Sequence, residues 1–288
     1  MEAVQKPRIR PPSSEQFSQL KVLTNNLALH TVCQEAHCPN QSECWSGGTA
    51  TFMVLGKTCT RGCKFCQIDA SLKGDAVDES EPQKLVQAAK QMKLNYVVIT
   101  MVNRDDLPDQ GASHVAKCIS ALKENNFRVE ALVGDFRGDE KLVDVIIDAK
   151  PDVFAHNIET VKSLQKKVRD HRASYEQTLT VLQYARSRGM NYTKSSIQLG
   201  HGETDEEVLQ TMNDLRSAGV NMLTLGQYLQ PSNWHLPVQN FASQEKFDFF
   251  KREATKMGFD FVASGALVRS SYKAGELFVE KKIDAHIN

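Results

Sequence analysis

The sequence has no apolar run long enough to cross a bilayer: TATFMVLG and YVVITMV, its longest, fall far short of the roughly 18 to 20 residues a spanning helix needs. The opening residues, MEAVQKPRIRPPSS, lack the apolar stretch of a secretory signal, so a soluble, cytoplasmic protein with no membrane partner is expected. Net charge is missing too. Lys+Arg 35 balance Asp+Glu 35 and no block of one sign occurs, so no global field draws nucleic acid and none is expected as a partner, although the count allows a local basic patch. Internal repeats and low-complexity tracts are absent. With 288 residues, core size is not limiting, and the chain suits one large α/β domain or two smaller ones.

Cysteine is unevenly spread. Six of the seven lie between Cys33 and Cys66. Without an export signal, grouped thiols in a reducing compartment read as metal ligands and not as disulfides. The seventh, Cys118, shares a helical face with Val115, Ile119 and Leu122 and is expected to be a buried, inert thiol.

Residues 1–14, with Pro7, Pro11 and Pro12, read as an extended arm. Residues 15–48 hold the first cysteines in a stretch of little periodicity, which suits a fold fixed by metal. After them, β-rich runs at TATFMVLG, NYVVITMV, RVEALVGDF, DVFAHNIET, KSSIQLG and MLTLGQYL are each followed by a helical pattern. Six βα units predict a parallel α/β fold, an incomplete (β/α)6 barrel in preference to an open doubly wound sheet. In GETDEEVLQTMNDLRSAG, Thr204 and Glu207 form a capping box and Gly219 stands where the helix stops.

The chemistry concentrates in GKTCTRGCKFCQID, where Cys59, Cys63 and Cys66 follow the first strand as C-x-x-x-C-x-x-C. A fourth cysteine is lacking, whereas a closed structural metal site uses four protein ligands. For zinc, His37 or Asp69 would have to complete the set, and neither has a fixed short spacing to the triplet. Thiolates also suit iron–sulfur clusters, and a 4Fe–4S cube held by three of them keeps one iron open.

On CTRGCKFC after the first strand of six βα units, the chain resembles the radical S-adenosylmethionine (radical SAM) superfamily. That resemblance implies that the open iron binds the methionine part of SAM and that reduction yields a 5′-deoxyadenosyl radical. CQEAHCPNQSECW, with Cys33, Cys38 and Cys44 at C-x4-C-x5-C, differs from the plant-type ferredoxin spacing. Together with HCPNQSECWSGGTATFMVLG, TLGQYLQPS and VRSSY, it is similar to the lipoyl synthase family from about residue 15 to 275.

The family resemblance implies a second 4Fe–4S cluster on Cys33, Cys38 and Cys44, with Ser271 of RSSY as fourth ligand; by itself a Ser-Ser pair reads as a solvated turn. It further implies insertion of two sulfur atoms into an octanoyl chain on a lysine of a lipoyl carrier domain. Such carriers belong to 2-oxoacid dehydrogenases or the glycine cleavage protein, and an electron donor such as ferredoxin or flavodoxin would be needed. The expected division is an arm and auxiliary-cluster extension over 1–48, the barrel over 49–258 and a C-terminal segment over 259–288 folding back over the extension. The alternatives are another radical SAM sulfur inserter, of the biotin synthase or methylthiotransferase type, or a non-catalytic iron–sulfur or zinc protein.

Further candidates lie at the ends of later strands. Gly200 and Gly202 of LGHGETDEE would bring backbone amides near the adenosyl part of SAM, or simply make a strand-to-helix turn. Asn157 and Glu159 of HNIET stand where barrels place ligand contacts, Glu159 on the ribose or capping a helix. Arg169 would meet the methionine carboxylate or lie on the surface. Asp105 and Asp106 shape their loop or contact the SAM amine, since hydrogen abstraction needs no acid–base pair. Trp234 and His235 shape the acyl entrance or pack on the rim.

Overall fold

The computed structural model describes residues 15–36, 38, 40, 51–94, 96–272 and 274; the expected arm over 1–14, His37 and Cys44 lie outside them. One eight-stranded sheet organises the chain, its strands in sequence order. β1 (His30–Thr31) runs antiparallel to β2 (Thr51–Val54). From β2 the sheet continues parallel through β3 (Tyr96–Met101), β4 (Arg128–Leu132), β5 (Val153–Ala155), β6 (Thr193–Leu199), β7 (Met222–Gln227) and β8 (Phe261–Gly265). Among the described residues no ladder returns from β8 to β1 or β2, so the barrel is incomplete.

β2 to β7 are the six expected strands. β8 is a seventh parallel strand, paired with β7 from Phe261↔Met222 to Gly265↔Gly226, and lies within the segment 259–288.

The early helices are α1 (Glu15–Asn26) and α2 (Val32–Glu35). The crossovers carry α3 (Glu81–Gln91), α4 (Ala112–Glu124), α5 (Glu140–Asp148), α6 (Gln165–Val168), α7 (Tyr175–Ser187), α8 (Asp205–Ser217) and α9 (Gln244–Lys256). Strands covered on both faces can be apolar throughout, and Phe52, Ile99, Ala131 and Phe154 are accordingly fully buried. Leu85, Leu122, Val208 and Phe250 of the helices are fully buried in the same core. Each of these side chains larger than alanine contributes about 1.5–3 kcal/mol of transfer free energy.

The helix starts follow local chemistry. Asp139, Ser174, Thr204 and Ser243 each accept from a backbone N–H in the first turn of the helix they precede, and Thr204 with Glu207 completes the expected capping box. Gly219, at φ 85°, ends α8 where the sequence placed its stop.

One ion pair is buried within the sheet: Lys194 Nζ of β6 donates to both oxygens of Glu130 of β4 at 2.8 and 3.0 Å, and Tyr96 donates to the same carboxylate at 2.7 Å. Removing one partner of a pair so deeply buried costs about 3–5 kcal/mol, because the other charge is left unpaired. The C-terminal ends of the parallel strands, where α/β folds place ligands, carry the loops that follow.

Candidate active site

The cysteine loop leaves β2 through a constrained turn. Leu55 has φ 71° and Gly56 φ 88°; a Cβ on Gly56 would lie 2.5 Å from Asp75 Oδ2. A leucine in the left-handed region is strained and needs its surroundings to hold it. Glu81 does so by accepting from the Leu55 N–H at 3.1 Å while bonded to His114 Nε2 at 2.7 Å. Asp75 accepts from the N–H groups of Lys57 and Thr58 at 2.8 and 3.1 Å.

Beyond that turn the loop is fastened on several sides. Arg61, between the first two cysteines, donates two bonds to Asp105 (2.9 and 3.1 Å) and one to Asp135 (2.8 Å). These charge-assisted bonds hold Arg61 well above its ordinary pKa, outweighing burial, which acts the other way. The Gly62 N–H donates to Asp170 at 2.9 Å, and the Asp170 N–H approaches Cys63 Sγ at 3.3 Å. From the segment after β7, His235 Nε2 donates to the Cys66 carbonyl at 3.0 Å, and the Leu236 N–H to that of Lys64 at 3.2 Å.

Burial pushes the thiols of Cys63 and Cys66 up to about 11 and about 12, so a bound metal would have to displace their protons. Around one zinc ion, with bonds of roughly 2.3 Å, neighbouring sulfurs would lie about 3.8 Å apart. Among the described residues, only Glu81, His114 and Cys118 bring three such ligand atoms within 4.8 Å of one another. The sulfurs of Cys59, Cys63 and Cys66 do not all lie within that distance of one another. Asp69, the described alternative zinc ligand, is exposed. Cys118 is fully buried, as expected, with its thiol pushed up by burial.

Arg169 is not a surface residue. It is 7% exposed and donates to Gln165 Oε1 and Thr178 Oγ1 at 3.2 and 2.9 Å, close enough to Cys63 and Glu159 for its charge to act on both. Glu159 is not a helix cap: at φ 66° it bridges to β6, and its carboxylate accepts from Gln198 Nε2 at 2.6 Å. Burial raises the Glu159 carboxyl, opposed by Arg169.

The glycines divide. A Cβ on Gly200 would collide with Gln227 Nε2, and the amides of Gly200 and His201 donate to Glu203 at 2.6 and 2.9 Å. The Gly200 amide expected to face a nucleotide therefore serves its own turn, while around Gly202 there is more space. Asp105 and Asp106 shape loops, the latter through Arg104 and the Gly74 N–H. Trp234 does not pack on the rim, being 97% exposed; His235 joins the two loops.

Among the described residues, these strand ends hold buried polar atoms without partners: Gln67 Oε1 after Cys66, Asn157 Oδ1 and Thr160 Oγ1 after β5, and both ring nitrogens of His201 after β6. Orphaned buried groups are costly, and a polar ligand at this edge would satisfy them. The site thus fits a thiolate-held cluster with a polar cofactor beside it.

A second constellation joins Cys33, Cys38 and Thr51 to residues 267–272. Cys33, Cys38, Thr51, Arg269, Ser271 and Tyr272 line one cavity. The Thr51 hydroxyl donates to Ser271 Oγ at 2.8 Å, and Asn40 Nδ2 donates to the Leu267 carbonyl. Burial raises the Cys38 thiol, while the backbone of Asn40 and the charge of Arg269 oppose it. The donor set of buried thiols, a hydroxyl and a nearby cation fits an anionic iron–sulfur cluster. Arg269 and Thr51 carried no signal in the sequence that would have assigned them here.

Comparison with known proteins gives the family and the fold. The sequence profile of the radical SAM superfamily matches residues 53–215. The chain is 50% identical over 273 residues to lipoyl synthase of Picrophilus torridus, covering 95% of each, and 50% identical over 284 residues to the chloroplastic lipoyl synthase of Arabidopsis thaliana, covering 96% of this chain and 72% of that one. The fold is shared with methylornithine synthase (PylB), at a TM-score of 0.58 and 13% identity over 90% of this chain and 85% of that one.

Proposed function

Because the chain belongs to the lipoyl synthase family of the radical SAM superfamily, we propose that its two cysteine triplets divide one reaction between them. The chain is a radical SAM sulfurtransferase that inserts two sulfur atoms into an octanoyl chain on a lipoyl carrier protein, and its cofactors are SAM and two 4Fe–4S clusters. When bound, the SAM-side cluster supplies the electron that opens the sulfonium bond, and the auxiliary cluster supplies sulfur.

Cys59, Cys63 and Cys66 would hold the first cluster on a loop that Arg61, Asp170 and His235 keep rigid. Arg169, buried near Cys63, offers the cation for the methionine carboxylate. Asn157 and Glu159 offer acceptors toward the ribose. Gly202 retains the space for a close approach, and Gly200 shapes the turn beside it.

Cys33, Cys38 and Cys44 would hold the auxiliary cluster with Ser271. The observation that carries this reading is the meeting of Ser271 with Cys33 and Cys38 in one cavity. A serine oxygen is a harder ligand than thiolate, so it makes one corner easier to dismantle when sulfide must leave. Carriers of 2-oxoacid dehydrogenases or the glycine cleavage protein, a ferredoxin or flavodoxin as donor, and a cytoplasmic location complete the proposal. Among the described residues no helix is long and apolar enough to cross a membrane.

Anaerobic incubation of the reconstituted protein with SAM, reductant and an octanoyl-lysine peptide, read by mass spectrometry, tests it. A peptide gaining two sulfurs supports the reading; SAM cleavage with an unchanged peptide contradicts it.

A further inference from the structure

His201 follows β6 and is 2% exposed, yet neither ring nitrogen has a hydrogen-bond partner. Leaving a buried group unpaired is costly. The ring is nonetheless held firmly. It stacks on Tyr228 with centroids 4.3 Å apart and planes at 27°, and meets Phe65 edge-on at 6.4 Å. Phe65 stands between Cys63 and Cys66, so the aromatic group adjoins the cysteine loop. Tyr228 is itself tied to the Leu236 carbonyl at 2.7 Å, in the segment that also grips that loop.

Burial, with Lys167 adding to it, pulls His201 down to about 4. The ring is therefore neutral near pH 7 and presents one acceptor and one donor. A neutral, flat, amphoteric group among aromatic rings does not suit a carboxylate or an ammonium. A carboxylate belongs with Arg169, whose charge acts on both Cys63 and Glu159. A heteroaromatic base, by contrast, stacks on aromatic faces and offers a polar edge to such a ring.

Resting on the reading of Cys59, Cys63 and Cys66 as the SAM-side cluster site, we propose that His201 is a specificity-determining residue that reads the polar edge of adenine, one ring nitrogen accepting from the exocyclic amine. The turn that places it is fixed by its own chemistry. Glu203 takes up the Gly200 and His201 amides, so the side chain of His201, and not its backbone, is left to meet the base.

Equilibrium dialysis of the anaerobic, cluster-loaded, unreduced protein tests this without turnover, using S-adenosylhomocysteine and its analogue lacking the 6-amino group. The protein is expected to prefer the amine-bearing ligand by roughly three- to tenfold, the equivalent of one net hydrogen bond. His201→Leu should bind both alike, and His201→Gln, which keeps an acceptor, should retain part of the preference. A His201→Leu protein with the full preference overturns the assignment. So does an unsubstituted protein that binds both ligands equally, which needs no variant to fold. A protein that binds neither ligand overturns the SAM-site reading itself, and this assignment with it.

Discussion

The hydroxyl of Thr51, the first residue of β2, lies 2.8 Å from that of Ser271, 220 positions later in the chain. This contact stands in the cavity that Cys33 and Cys38 also line, while the far end of β2 runs into the loop bearing Cys59. A strand of four residues, about 13 Å long, thus links the two cysteine regions and fixes their relation.

Substituting Cys63 by alanine is expected to abolish SAM cleavage, because the electron reaches the sulfonium only through the cluster that this thiol helps to hold. The auxiliary cluster should persist, at about half the iron of the unsubstituted protein. Assay of 5′-deoxyadenosine under reduction checks it; product from a folded Cys63→Ala protein would disprove the assignment.

Cys38→Ala should separate the two activities in the other direction. SAM cleavage continues at a rate close to the parent's, and lipoyl product disappears for want of a sulfur source. Mass spectrometry of the peptide, set beside a count of 5′-deoxyadenosine, decides the matter.

Six strands were legible because each couples a short β-rich run to a helical period. β8 was not: FVASG is brief and ends in small residues, and its partner β7 is all that makes it a strand. The cysteine triplets were legible from spacing. The surroundings that make them a site were not, because burial is a tertiary property. Arg61 reads as a spacer in CTRGC until Asp105 and Asp135 are brought to it from two other loops. Arg169 reads as a surface cation until α6 buries it. Gly200 suggested a nucleotide contact, whereas Gln227 is what forbids a side chain there.

The Arg61 anchor gives a pH dependence. Burial would raise the Asp135 carboxyl, but the hydrogen bond and charge of Arg61 outweigh it and hold the group below its ordinary 3.8. A carboxyl whose folded pKa is depressed contributes stability that is present above the unfolded value and lost as pH falls through the folded one. Asp135→Asn should therefore unfold more easily in urea near neutral pH, by roughly 1.5–3 kcal/mol for a lost charge-assisted bond. The deficit should shrink below about pH 3.8, and a deficit constant with pH would count against the anchor.

Ser271 variants should change the auxiliary cluster in opposite ways. In Ser271→Ala the cluster loses its fourth ligand, and sulfur insertion falls while SAM cleavage remains. In Ser271→Cys a fourth thiolate holds the cluster more firmly, so iron loads fully and sulfide release slows. Single-turnover measurement of sulfide loss distinguishes the two; equal rates in both variants and the parent would argue against any ligand role.

The most direct measurement is a crystal structure of the anaerobically loaded, resting enzyme with iron located by anomalous scattering. A four-iron cluster held by Cys33, Cys38 and Cys44 is expected, with Ser271 Oγ bonded to the fourth iron in the cavity that Arg269 and Tyr272 also line. A Ser271 oxygen beyond bonding distance of every iron, with Ser270 or an outside ligand in its place, would contradict it.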